Sequence, residues 1–127
     1  MDMEVTGRKV ETSEVDDLSP LEILIQLYEG AIRFLEQAAT ACEGGMVDEF
    51  KEALGRGRRI IEEFQRTLDF SQGSAVSNQL NELYNFMLEN LAQADLTHDV
   101  QYVQQVITNL RILLDGWRGA ESSQAEG

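Results

Sequence analysis

The side chains able to carry out chemistry are few, and their spacing assigns most of them to structure. His98 is the single histidine and Cys42 the single cysteine, so neither a His/Cys zinc set nor an internal disulfide can be assembled. A di-iron bundle needs Glu-x-x-His on two helices, a motif this chain lacks. Phosphotransfer from a helical bundle needs a histidine exposed in mid-helix, whereas Thr97-His98-Asp99 falls where a helix is expected to start, with Thr97 as its cap. Serine and threonine are present, but no histidine can be placed as a base for one of them. Gly55-Arg56-Gly57 lies inside a periodic helical stretch and is not a phosphate-binding loop. Glu29, Glu36 and Glu43 recur every seven residues, the spacing of a solvent face. The expectation is therefore a protein without catalytic residues, cofactor or metal, and not an enzyme.

Twenty-three Asp and Glu against ten Lys and Arg give a net charge of -13, which repels phosphate backbones and anionic headgroups. Nucleic acid is not an expected partner. Five of the ten basic residues, Lys51, Arg56, Arg58, Arg59 and Arg66, crowd one stretch. Asp48, Glu49, Glu52, Glu62 and Glu63 are interleaved with them, as on a helix surface laced with i,i+4 pairs. No apolar run approaches the ~20 residues that span a bilayer, and the N-terminus has no apolar signal core. A cytoplasmic protein without membrane insertion is expected.

These residues must be positioned by helices. With one proline in 127 residues and glycines gathered between periodic stretches, the chain reads as all-α. Ser19-Pro20-Leu21-Glu22 is a capping box with proline at the first helical position, and it opens a helix that Gly44-Gly45 stops. Leu21, Leu24, Tyr28, Ala31, Ile32, Leu35, Ala39 and Cys42 form its core row. A second helix from about Asp48 carries Phe50, Leu54, Gly57, Ile61, Phe64 and Leu68, with packing as the reason for Gly57. A third carries Val76, Leu80, Leu83, Tyr84, Met87, Leu91 and Ala94, and a fourth Val100, Val103, Ile107, Leu110, Leu114 and Trp117. Short connections make neighbours antiparallel, so an up-and-down four-helix bundle is expected over residues 19–118. Residues 1–18, with six carboxylates, read as a flexible acidic arm, and residues 119–127 as a disordered polar tail.

More apolar residues are present than one row per helix requires. Ile23, Leu27, Phe34 and Ala38 form a second stripe on the first helix, Phe86 and Leu88 flank Tyr84 on the third, and Tyr102, Val106 and Leu113 lie beside the core row of the fourth. Part of this surplus belongs to the core, and part suits grooves that take another amphipathic helix.

Ser19-Pro20-Leu21-Glu22-Ile23 followed by Leu27-Tyr28-Glu29-Gly30-Ala31 resembles the first-helix signature of the flagellar export chaperone family FliS, Ser-Pro-x-x-Leu and then Leu-Tyr-Asp-Gly-Ala. Leu68-Asp69, Gly73, Leu83-Tyr84-Asn85-Phe86-Met87, Leu91-x-x-Ala94-Asp95, Asp99 and Asp115-x-Trp117 follow the family's later elements in order, so the resemblance spans roughly residues 13–120. It implies a cytosolic bundle that binds the C-terminal segment of flagellin, prevents its premature polymerisation and supports its delivery to the flagellar secretion apparatus, with the export gate as a further partner. The matched Tyr28, Tyr84, Phe86 and Trp117, together with Ile23, Leu27, Phe34, Leu88, Tyr102, Val106 and Leu113, are the partner-binding candidates. The alternatives are a helical-bundle adaptor for a different amphipathic partner and, more remotely, a histidine phosphotransfer protein. The family's usual arm tyrosine is missing, for residues 1–27 contain no aromatic side chain.

Overall fold

The computed structural model describes residues 18–68 and 74–126, which form four helices: α1 Pro20–Glu43, α2 Val47–Arg66, α3 Ser74–Thr97 and α4 Val100–Glu126. The acidic arm, apart from Leu18, lies outside the described residues.

The ends of α1 follow from its sequence. Ser19 Oγ accepts the Glu22 N–H at 3.0 Å, and the Glu22 carboxylate accepts the Ser19 N–H at 3.0 Å, which closes the capping box. At the other end Met46 N–H donates to Ala41 O and Gly45 N–H to Cys42 O, with Gly45 at φ 72°, a Schellman closure that favours glycine there. Ser19→Ala is expected to cost about 1 kcal/mol, read as a lower urea midpoint with an unchanged slope.

The start of α4 differs from the sequence expectation. Thr97 is the last residue of α3, where its hydroxyl donates to Gln93 O at 2.7 Å, and Asp99 supplies the cap by accepting the Gln101 N–H at 3.0 Å. His98 bridges the two helices at φ 57°, exposed, with its ring edge-on to Phe50 at 5.5 Å. Nor does α4 end at Gly119, because helix continues to Glu126 where a disordered tail was expected. Ala120, Glu121, Gln124 and Ala125 are good helix formers, no proline follows, and one glycine costs only about 1 kcal/mol against alanine.

Each helix packs on two others: α1 on α2 and α4, and α3 on α2 and α4. Lys51–Asp95 at 2.9 Å and Gln65 Nε2–Asn81 Oδ1 at 2.8 Å tie opposite ends of α2 and α3, and so fix them antiparallel. Glu36 and Glu29 pair with Arg111 and Arg118, fixing α4 antiparallel to α1. Two of the heptad-spaced glutamates thus form a ladder to α4 instead of facing only solvent. The three ion pairs are half-exposed, so each contributes at most about 1 kcal/mol and serves register more than stability.

The expected core rows are buried or pack against the buried cluster, and no charged side chain among the described residues is buried. Val76 is the exception at 64% exposed, because it precedes the level at which α2 ends. Gly57 is buried where α2 crosses α1, against Leu35 and the Ala31 carbonyl.

Candidate functional site

The structure divides the eleven partner-binding candidates into three groups. Tyr28, Tyr84 and Val106 are buried, with exposures of 0%, 2% and 0%, and belong to the core. Tyr28 and Tyr84 sit in the core rows expected for them, and Val106, expected beside the core row of α4, is buried as well, so all three serve the core instead of a groove; a buried tyrosine is stable if its hydroxyl is paired. The two phenol oxygens meet 2.6 Å apart across the diagonal between α1 and α3. Phe64 stacks on Tyr28 at 4.4 Å and lies 5.7 Å from Tyr84, while Trp117 stands edge-on to Tyr28 at 6.3 Å. Burial raises the pKa of both phenols above 10, so the pair stays neutral at physiological pH.

Phe34, Leu88, Tyr102, Leu113 and Trp117 are half-buried. Leu88, Tyr102, Leu113 and Trp117 pack their inner edges on the core, and the Arg56 guanidinium lies over the Phe34 ring at 5.7 Å. Ile23, Leu27 and Phe86 are exposed at 43%, 38% and 45%. Apolar surface therefore remains on separate helices, α1 and α3, and the candidates do not form one contiguous site.

On the α1–α2 side, Ile23, Leu27, Gly30 and Ile60 line an open groove of about 590 Å³ together with Gln26, Glu29 and Arg33. Ile60 was not among the candidates. Its signal is the doublet Ile60-Ile61, of which Ile61 fills the core row and leaves Ile60 one position round the helix. Ile112, 64% exposed on α4, was missed as well, for it falls outside both rows of that helix.

Among the described residues no group of three His, Cys, Asp or Glu side chains is placed to hold a metal ion, and no helix is long and apolar enough to cross a membrane. Among the described residues the exposed geometry is apolar and amphipathic surface on α1, α2 and α3.

The family model described as "Flagellar protein FliS" matches residues 5–124. The chain belongs to the FliS family. A flagellar secretion chaperone FliS of Salmonella typhimurium is 32% identical over 107 residues, 84% of this chain and 79% of that protein. Its counterpart in Vibrio cholerae is 30% identical, covering 83% of this chain and 77% of that one, and that of Bacillus subtilis is 27% identical, covering 88% and 83%. A solved structure described as a flagellar chaperone from bacteria superposes with a TM-score of 0.78 over 97% of this chain and 99% of its own, at 22% identity, and so shares the fold. FliS membership agrees with the four-helix bundle and with the motifs quoted from Ser19 to Trp117.

Proposed function

We propose that this chain is a cytosolic export chaperone, without enzymatic activity, that binds the C-terminal segment of flagellin, keeps it from polymerising and supports its delivery to the flagellar secretion apparatus, where the export gate is a further partner. The observation that carries this reading is the FliS match over residues 5–124, beside relatives named flagellar secretion chaperones. The exposed Ile23, Leu27 and Phe86 support it, because a client that is unfolded before binding gains its affinity by burying apolar side chains while it orders. Phe86 is the strongest single anchor, an aromatic ring held half-exposed on a rigid helix.

Co-expression with a flagellin of the source organism tests the proposal. A stoichiometric complex is expected on size exclusion, lost when flagellin is truncated at its C-terminus. Phe86→Asp should weaken binding at least about tenfold by titration calorimetry, since it removes apolar contact and buries a charge. An unchanged Kd would place the client elsewhere. Capture of a different helical protein in place of flagellin would favour the adaptor reading.

A further inference from the structure

We infer that the end of the bundle where the α1–α2 and α3–α4 connections meet is a docking surface for a short segment of a partner protein that carries lysine or arginine beside apolar side chains. Nothing in this requires flagellin to be the client.

The apolar part of the surface lies outside the core. Leu96, in the last turn of α3, is 77% exposed, the most of any large apolar side chain among the described residues, and Met46 and Val47 are 54% and 43% exposed where α2 begins. Contacts draw the two connections together: Cys42 Sγ donates to His98 O at 3.1 Å, the His98 ring stands edge-on to Phe50, and Lys51 pairs with Asp95. Val47 precedes Lys51 by one turn on the same side of α2, and Leu96 follows Asp95, so that ion pair sets Val47 and Leu96 within about one turn of each other. Local structure does not call for these residues. Met46 is the N-cap of α2 and makes no side-chain cap bond, where serine, threonine, aspartate or asparagine would stabilise the helix. The Schellman turn sets Met46 beside Ala41, yet more than half of the side chain still faces solvent.

Charge selects the occupant. Glu43, Asp48, Glu49 and Asp99 are exposed at this end, and none has an ion-pair partner among the described residues. Asp48, Glu49 and Asp99 suit the N-termini of α2 and α4, but Glu43 stands at the C-terminus of α1, where the helix dipole disfavours it. Both α1 and α3 end here without a basic residue in the last turn, which leaves two negative helix ends with no cation of their own. The nearest cations do not restore the balance. Lys51 is taken by Asp95, and Arg56, beside Glu49, is taken by Glu52. Arg33 and Arg58 have no ion pair, but they stand eight residues back from Ala41 and seven on from Lys51, about 10 Å or more along their helices. A partner's lysine or arginine would therefore meet unpaired carboxylates and helix carbonyl ends while its apolar neighbours cover Leu96, Val47 and Met46. A second copy would set the same carboxylates against each other, and residues 1–17 carry six more against two cations, so like charge disfavours both as occupants.

The test uses the full chain and two labelled synthetic peptides that share their leucines and differ only in having lysine or glutamate between them. Fluorescence anisotropy at low salt should show the lysine peptide bound at least about tenfold more tightly. A chain of net charge -13 attracts any basic peptide, so paired variants locate the binding. Glu43→Lys with Asp48→Lys should weaken the lysine peptide about tenfold, whereas Glu62→Lys with Glu82→Lys, exposed positions further along α2 and α3, should weaken it no more than about twofold. Val47→Ser with Leu96→Ser, which leaves every charge in place, should weaken it about fivefold. Phe86→Asp, ten residues from Leu96 on α3, should leave it within about twofold, which keeps the outcome separate from the flagellin reading. Equal affinities for the two peptides, equal losses in the two lysine pairs, or no loss in the serine pair would overturn the inference. So would concentration-dependent dimers that Leu96→Ser abolishes, in favour of a second copy, or a tenfold gain in affinity on deleting residues 1–17, in favour of the chain's own arm.

Discussion

Gly57→Val is expected to destabilise the bundle by about 3 kcal/mol, the upper end of the range for overpacking a close-packed core. A Cβ at position 57 would lie 2.6 Å from Leu35 Cδ2 and 2.9 Å from its Cγ, inside any real contact distance. Leu35 is fully buried, and close-packed interiors leave a side chain little room to shift. Gly57→Ala sets two effects against each other. Alanine gains about 1 kcal/mol of helix propensity, and the clash costs about 1–3 kcal/mol, so a small net loss is expected. Leu35→Ala in the Gly57→Val background should be destabilised by less than the sum of the two single changes, because the smaller side chain makes room for the valine. Urea unfolding of the four chains measures this, and a Gly57→Ala protein more stable than the original would show that α1 and α2 are not in tight contact there.

The same residue shows how much of the fold was legible. Gly57 stands within the run Phe50, Leu54, Ile61, Phe64, where the spacing continues and the side chain does not, and a close helix crossing is the simplest physical cause. The capping box and the Gly44-Gly45 stop were equally readable, since both depend on residues within one turn of each other. The α3–α4 junction was less so. Thr97 and Asp99 are both competent caps two residues apart, and the choice depends on a left-handed His98 that spacing does not reveal. The helical continuation past Gly119 shows the same limit, for glycine is a stop only where the chain turns left-handed behind it.

The candidate site was legible as an excess of apolar residues but not as a place. Each helix of the ring contacts two neighbours, so its buried arc is wider than one row, and Val106 and Ala38, which pattern alone placed in second stripes, lie within it. Ile23 and Leu27, on the same second stripe as Ala38, stay exposed and line the open groove beside α2. Which half of a stripe is covered depends on the neighbour's side chains at that level, a long-range property. The pairing of Tyr28 with Tyr84, 56 positions apart and on helices that are not adjacent in the ring, is of the same kind.

That pair leads to the second large effect, a loss of stability in alkaline solution. Each phenol keeps its proton in the fold to a pH above 10, its ordinary value in an unfolded chain, chiefly because burial penalises the phenolate. Below pH 10 both states hold the protons, and the contribution does not change with pH. Above it the unfolded chain releases two protons that the folded protein retains, so stability falls as pH rises, by up to about 1.4 kcal/mol per unit for each tyrosine. Urea midpoints followed from pH 8 to 11 should therefore drop more steeply for the original chain than for the double variant Tyr28→Phe, Tyr84→Phe, which has no buried phenol to titrate. At pH 7 each single change should cost about 1–3 kcal/mol by leaving the other hydroxyl buried without a partner, and the double change should cost less than the two singles together. Identical pH profiles, or single changes that simply add, would mean that water reaches the pair and that the diagonal hydrogen bond does not hold α1 and α3 in register.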